Sequence, residues 1–380
     1  MITAFERVVY ELALGARLAW YGGQSALTGR LMDPVPAPPE LRGRMPSADA
    51  LLADRLRLID RERRNLEAGY YRLPRDLIEN PLIGLRQTLR YFADLEAVNR
   101  RRQAGPPPAL DTPESRRYPD YYRRAYHHQT DGYLSRHSAE LYDHQVEVLF
   151  GGAGDVMRRQ ALVPLYRFVA AGRRIADLGL IDIACGTGRF LAQVKDNYPR
   201  LAVTALEISP YYLAEARRRL RHWSRVGFVE AAVESAQLPS EAFDIATCIF
   251  LFHELPGELH RTAAAGIARL LKPDGILVFV DSLQPGDVPR YDALLQYFPV
   301  AFHEPYFADY LTQDLVQVFA EAGLRPAGTE FAYLSRIMVF EKPGRGRRRA
   351  TTPTAHAARI SHSTVCRRIR TSRTERELGG

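Results

Sequence analysis

The sequence predicts an α/β fold: a doubly wound, mainly parallel sheet behind a helical N-terminal extension. Three observations point to it. From about residue 175 to 342, short apolar runs (LGLIDIA, LAVTALE, VGFVEA, AFDIATCIF, GILVFVD) alternate with amphipathic helical patterns. Alternation at this spacing belongs to crossover units, in which helices join parallel strands. Next, RPAGTEFAY and RIMVFEK are separated only by Leu334 and Ser335. That link is too short for a crossover, so the pair runs antiparallel. Finally, the first 110 residues carry helical periodicity and no strand pattern. With 46% hydrophobic residues in a chain of 380, a packed core is well supplied.

The elements follow in order. Ile2, Phe5, Val9, Leu12, Ala16 and Trp20 fall on one face of a first helix. SADALLADRLRLIDRERRNLEAG and LIGLRQTLRYFADLEAVNRRR repeat that character, with Arg and Glu outward. DPVPAPPE precedes the first of these, and AGPPPALDTPES follows the second as a linker. The linker is expected to bound a separate extension, residues 1–110. Glu6, Arg7, Glu11 and Arg17 interrupt any signal-peptide core. No apolar run approaches the roughly 20 residues of a membrane span. Cys185, Cys248 and Cys366 form no framework and no C-x-x-C, which suits a reducing, cytoplasmic setting.

Residues 118–174 are expected to form a Tyr/His-rich helical cap. Six Tyr and four His (His127, His128, His137, His144) fall between Tyr118 and His144. Their spacing matches no compact zinc pattern, so no metal is expected. The open alternatives are aromatic packing of helices onto the sheet and a roof over a substrate pocket. Residues 175–342 hold the sheet, with helices at RFLAQVKDNY, YYLAEARRRLRHW and ELHRTAAAGIARLL. KPDG reads as a turn launching the fifth strand. Residues 343–380 contain ten Arg and two Glu, the whole of the net charge of +8. This basic tail lacks any apolar period and is expected to be disordered. The preceding 342 residues are neutral overall and offer no phosphate-binding surface.

The stretch LIDIACGTGRFL, Leu180 to Leu191, is the most specific signal. A strand enters a Gly-x-Gly turn and a helix follows. Without Cβ atoms at Gly186 and Gly188, backbone N–H groups can approach a bound nucleoside. Asp182 lies in the strand. Glu207 ends the next strand, nineteen residues after Gly188, where a carboxylate can accept from two ribose hydroxyls. A dinucleotide turn needs a third glycine for close helix packing, and Leu191 stands there, so NAD and FAD are excluded.

D-x-A-x-G-x-G resembles motif I of the class I S-adenosylmethionine (SAM) dependent methyltransferases, with Ala184 in place of the usual first glycine. The resemblance covers about residues 139–342. It implies a Rossmann-like, seven-stranded sheet with its last strand antiparallel at the edge, and SAM as cofactor. AVESAQLP resembles the family's G-D-A-x-x-L-P element. Glu234 takes the acid position, toward the adenine amino group, and the Ser235 N–H faces the ring edge. Tyr142 and Asp143 match a Tyr-Asp element that lies over the cofactor. The cofactor residues so implied are Asp182, Ala184, Gly186, Thr187, Gly188, Glu207, Ile208, Glu234, Ser235 and Tyr142.

CIFLFHELP after the fourth strand resembles the family's x-x-L-H-H-L-P and lies where ligands bind in such sheets. SAM carries its own leaving group, so positioning supplies much of the catalysis, with a base only for an acceptor still protonated. His253, His303 and Glu304 are the catalytic candidates, with Glu254 beside them; histidine is favoured for its near-neutral pKa. The acceptor is expected to be a small, flat, partly apolar molecule, methylated on O or C. The sequence shows no N/D-P-P-Y after strand four, which argues against amino-directed methylation of adenine or glutamine. The broad resemblance is to small-molecule O- and C-methyltransferases of the quinone-biosynthesis type, and HHQTDGYLS and HEPYF also resemble an uncharacterised bacterial and plastid group. The alternatives are a nucleic-acid or protein methyltransferase guided by the basic tail, and a SAM-binding scaffold.

Overall fold

In the computed structural model the seven apolar runs are seven strands of one sheet. They are β1 (Gly179–Ile183), β2 (Ala202–Glu207), β3 (Val226–Glu230), β4 (Phe243–Ile249), β5 (Leu271–Ser282), β6 (Arg325–Ala332) and β7 (Ser335–Glu341). The structure describes residues 3–77, 80–105, 109–129 and 131–344. Ile2, Cys366 and nearly all of the basic tail lie outside them.

The strand order is β3-β2-β1-β4-β5-β7-β6. β1 to β5 pair in parallel, and β7 runs antiparallel to both β5 and β6. The last strand is antiparallel as expected, but it is not the edge. β7 is inserted between β5 and β6, and the exposed β6 is the edge strand. The reason lies in composition. Ile337, Met338 and Phe340 are buried, whereas β6 offers Arg325, Gly328, Thr329 and Glu330. Central β1 is buried on both faces, which accounts for its unbroken apolar run. KPDG is part of β5 and not a free turn. Leu271 already pairs with Phe243, and the register shifts before Ile245. Asp274 absorbs the irregularity at φ 61°, and a Cβ on Gly275 would lie 2.9 Å from the Asp244 carbonyl.

The crossover helices are the expected ones. Numbered along the chain, the helices are α1 (Ala4–Leu31), α2 (Pro39–Arg42), α3 (Ala48–Glu67), α4 (Pro81–Ala104), α5 (Arg136–Leu149), α6 (Gly154–Arg159) and α7 (Leu162–Ala170), then α8 (Arg189–Asn197), α9 (Pro210–Leu220) and α10 (Gly257–Leu270). Between β5 and β6 stand α11 (Asp292–Phe302), α12 (Phe307–Thr312) and α13 (Leu315–Glu321). From 109 to 135 the described residues form single 3-10 turns laid over the sheet, so the Tyr/His-rich cap is helical only from α5 onward. No helix among the described residues is long and apolar enough to cross a membrane.

The helical extension is built into the fold. Residues Met1–Arg345 make one compact unit. Tyr10, Leu14, Leu58, Leu66 and Tyr71 share a core with Leu180, Val203 and Ile245. The Thr3–Glu6 capping box starts α1. Its expected apolar face is the exposed one, with Phe5 at 77% and Leu12 at 70%. The buried face is Tyr10, Leu14, Arg17, Tyr21 and Gln24, which reads as polar because its packing is completed by ion pairs. Arg17 donates to Asp155 at 2.8 Å and lies 3.2 Å from Glu147. Asp155 also accepts from Arg158 and Arg189, and Arg159 joins Glu62 and Asp76. Burial opposes the Asp155 charge, yet Arg189, Arg17 and Arg158 hold its carboxyl well below the usual range.

Candidate active site

The site lies at the carboxyl end of β1, where the strand order reverses and crevices open in such sheets. Ala184, Gly186 and Gly188 all take left-handed backbone, with φ of 53°, 54° and 72°. This coils the loop so that the Gly186 N–H donates to Glu207 Oε2 at 3.0 Å. The Ser209 N–H donates to Oε1 at 2.9 Å. Burial raises the Glu207 carboxyl, and these N–H groups pull it back. The position a Cβ would take on Gly186 has no atom within 4 Å, so this glycine faces open cleft.

Gly188 behaves differently. It caps α8 and does not line the cleft; a Cβ there would meet the Ala216 Cβ at 3.0 Å. Its freedom from a side chain serves helix packing, not approach to a ligand. Leu191, at the position a dinucleotide site gives to glycine, is fully buried in the core.

Asp182, Ala184, Thr187, Ile208, Glu234 and Tyr142 line the same cleft as Gly186 and Glu207. Asp182 accepts from the Thr247 hydroxyl at 2.5 Å, and burial pushes its carboxyl up to about 7. Thr187 donates to Asp143 at 2.9 Å, and Arg219 bonds both Asp143 and the Thr187 carbonyl. Glu234 accepts from the Tyr121 hydroxyl at 2.6 Å. Ser235 is exposed and outside the lining, and its N–H is spent on the Ala232 carbonyl at 3.2 Å, so it does not face a ring. Tyr142 meets Tyr212 edge-on at 5.4 Å, and Tyr121, Tyr122 and Tyr133 complete an aromatic wall. Sequence reading had no assignment for Tyr121, Tyr122, Tyr133 or Tyr212; the density of Tyr before α5 was the available signal.

Tyr142, Phe250 and Glu254 also line a second, more apolar cavity, together with His127, His253, Glu304, Phe298 and Phe307. His253 Nδ1 lies 2.5 Å from Asp281 Oδ1. Burial disfavours its charge, but Asp281 prevails and pushes the imidazole up to about 10. In this pair His253 is an imidazolium at neutral pH, not the near-neutral base that its residue type suggested. Glu254 accepts from Tyr133 at 2.7 Å, and burial raises its carboxyl to about 7. Glu304 is buried, and its carboxyl is pushed well up by burial. His303 caps α11 at φ 51° and leaves this cavity; its ring lies 5.3 Å from that of His128. It is therefore placed away from Glu304 in function although adjacent in sequence, because the left-handed residue turns the chain between them. His127, which no sequence signal separated from its neighbours, stands 3.1 Å from Glu304.

The sequence is similar to known methyltransferases. The family model for a methyltransferase domain matches residues 180–275. A malonyl-[acyl-carrier protein] O-methyltransferase of Paenibacillus is 31% identical over 26% of this chain and 37% of its own length. The demethylmenaquinone methyltransferase of Thermus thermophilus is 31% identical over 30% of this chain and 54% of its own. The chain spans about half or less of the length of these relatives. A solved Burkholderia thailandensis 1,6-didemethyltoxoflavin-N1-methyltransferase aligns with a TM-score of 0.37 and 21% identity, over 49% of this chain and 78% of that one. The glycine loop and Glu207 lie within the matched residues 180–275: that part of the chain carries a class I SAM-dependent methyltransferase domain.

Proposed function

We propose that the protein transfers the methyl group of SAM to a small, flat and partly apolar acceptor, on oxygen or carbon. The observation that carries this reading is the left-handed loop Ala184–Gly188 facing Glu207 across open cleft at the strand-order reversal. In this reading Glu207 releases the Gly186 N–H and accepts from the two ribose hydroxyls. Asp182, Thr187 and the loop backbone hold the methionine end, Ile208 packs on the adenine, and Glu234 accepts from the adenine amino group. Tyr142 closes the cleft over the cofactor.

The acceptor then sits in the second cavity, reached past Tyr142 and Glu254. Its Phe298 and Phe307 walls suit a flat apolar body, and its acid and imidazole groups suit an ionisable hydroxyl or carbon acid. The relatives are named for malonyl-[acyl-carrier protein], demethylmenaquinone and trans-aconitate, three unlike acceptors, so the shared domain leaves the choice to this cavity. The absence of net charge over the first 342 residues supports a small molecule over a polyanion. The three cysteines without a framework support a cytoplasmic setting.

The test is calorimetry followed by turnover. SAM and S-adenosylhomocysteine should bind and NAD should not. Incubation with methyl-labelled SAM and a metabolite extract should give a labelled product by mass spectrometry. NAD binding without SAM binding would sink the reading.

A further inference from the structure

The second cavity contains a group of side chains that methyl transfer alone does not explain. One ring nitrogen of His127, a carboxylate oxygen of Glu254 and one of Glu304 all lie within 4.8 Å of one another. They come from three distant segments: the turn before α5, the loop after β4 and the loop after α11. Asp281 stands behind them through His253. Among the described residues, no Lys or Arg pairs with Glu254, Glu304 or Asp281.

Glu304 makes the case. Its side chain is fully buried, and neither carboxylate oxygen accepts a hydrogen bond from any described residue. A buried carboxylate left so is costly. Its neighbour cannot relieve it. Tyr133 has one hydroxyl proton and donates it to Glu254 Oε1 at 2.7 Å. The 2.9 Å contact between Tyr133 and His127 Nε2 therefore needs the proton on His127 Nε2. In neutral His127 that leaves Nδ1 without a proton, 3.1 Å from Glu304 Oε1 and not hydrogen-bonded to it. A cation bound by both atoms would give the buried Glu304 carboxyl the partner it lacks. Two ligand atoms about 2.1 Å from one ion and at right angles to it are about 3.0 Å apart, close to the separation found.

We propose that His127, Glu254 and Glu304 bind one divalent first-row transition-metal ion in the wall between the cofactor cleft and the second cavity. One imidazole and two carboxylates suit such an ion better than magnesium or calcium, which take oxygen alone. Tyr133 fixes the His127 tautomer, as outer-shell partners do in histidine metal sites. His127, Glu254 and Glu304 all line the second cavity, so an ion held by them would be reached from it. There the ion would bind an acceptor oxygen, a role that rests on the methyl-transfer reading, although the metal site itself does not.

The untagged full chain, stripped with chelator, is titrated with Co²⁺ and followed by visible absorption. The expected result is a ligand-field band that saturates at one equivalent and is displaced by Zn²⁺. X-ray absorption of that complex should show at least one imidazole on the cobalt. His127→Ala and Glu304→Gln should each weaken cobalt binding at least 10-fold and leave SAM affinity within about 2-fold. A wild-type chain with no saturable band overturns the proposal, and so does an imidazole-free cobalt complex. Equal cobalt affinity in Glu304→Gln overturns it too. If a variant loses SAM binding as well, the wild-type titration and absorption spectrum decide alone. Cobalt binding without any SAM binding would leave the metal site standing and remove the methyl-transfer reading.

Discussion

The two sides of the wall formed by Tyr142, Phe250 and Glu254 are built by different means. On the cofactor side the chain does the work locally: Asp182 to Gly188 form one loop, and its partner Glu207 ends the neighbouring strand. Backbone N–H groups and left-handed residues shape that surface. On the acceptor side the backbone contributes little. His127, Glu254 and Glu304 converge from segments more than a hundred residues apart, or fifty in the nearer case, and every atom of that cluster is on a side chain. A site made by backbone is fixed by spacing along the chain. A site made by converging side chains is fixed only when the helical layer is seated on the sheet.

The largest expected effect follows from that seating. Asp155 joins Arg17 of α1, Arg158 of α6 and Arg189 at the start of α8, so it fastens the helical layer to the cofactor loop. Asp155→Ala removes the carboxylate that three guanidiniums share in a buried place and should cost about 3–5 kcal/mol of stability. Urea unfolding measures it. A loss under about 1 kcal/mol would mean that the two layers are held by apolar contact alone, and the contrast between them would weaken.

Within the cofactor side, Glu207→Ala should weaken SAM binding by about 2 kcal/mol or more, since two hydroxyls lose a charged acceptor. The same calorimetry on Glu304→Gln should show little change. Equal losses in both would break the division of the cleft into two sides.

This contrast also explains what was legible in the sequence. Every strand was: central ones such as β1, buried on both faces, leave unbroken apolar runs, while the exposed β6 was read from its short link to β7. The cofactor loop was, because D-x-A-x-G-x-G needs its residues at fixed intervals. The place of β7 inside the edge was hidden, as was the orientation of α1. In each case periodicity names a face but not what covers it: Arg17 and Gln24 are buried because Asp155 and His144 lie opposite. The acceptor side was half legible. HELP and HEPYF marked His253, Glu254 and Glu304, while His127 was one histidine among four and His303 was an adjacent decoy. No local pattern states that residue 127 meets residue 304.

The two glycines of the loop sharpen the comparison at smaller scale. Both are left-handed, so alanine at either costs about 1–2 kcal/mol of stability from the backbone. Gly188→Ala also drives a methyl against Ala216 and should be the less stable protein, yet its folded fraction should keep its SAM affinity. Gly186→Ala projects into open cleft and should show the reverse: milder loss of stability, marked loss of SAM binding. Thermal melts and calorimetry on the pair decide it. A Gly186→Ala protein that binds SAM normally would place the cofactor elsewhere.

The smallest effect concerns a proton on Asp182. Burial raises its carboxyl to about 7 from an ordinary 3.8, against the pull of the Thr247 hydroxyl. In the free protein the group therefore contributes most to stability below about pH 4, and that contribution is lost as pH rises through about 7. SAM brings a net positive charge, from a sulfonium and an ammonium against one carboxylate. If its methionine end lies by Asp182, the carboxylate form is favoured and the carboxyl falls toward its ordinary value. Binding should then release up to about one proton near pH 6 to 7, and less above pH 8, where the free protein has already ionised. Calorimetry in phosphate and in Tris, whose ionisation heats differ, reads the proton directly. Asp182→Asn should abolish the difference between the buffers and leave the fold intact, since the amide can still bond Thr247. Binding heats that are independent of buffer at pH 6.5 in the wild type would place the cofactor's charges away from β1, and with them the boundary between the two sides of the cleft.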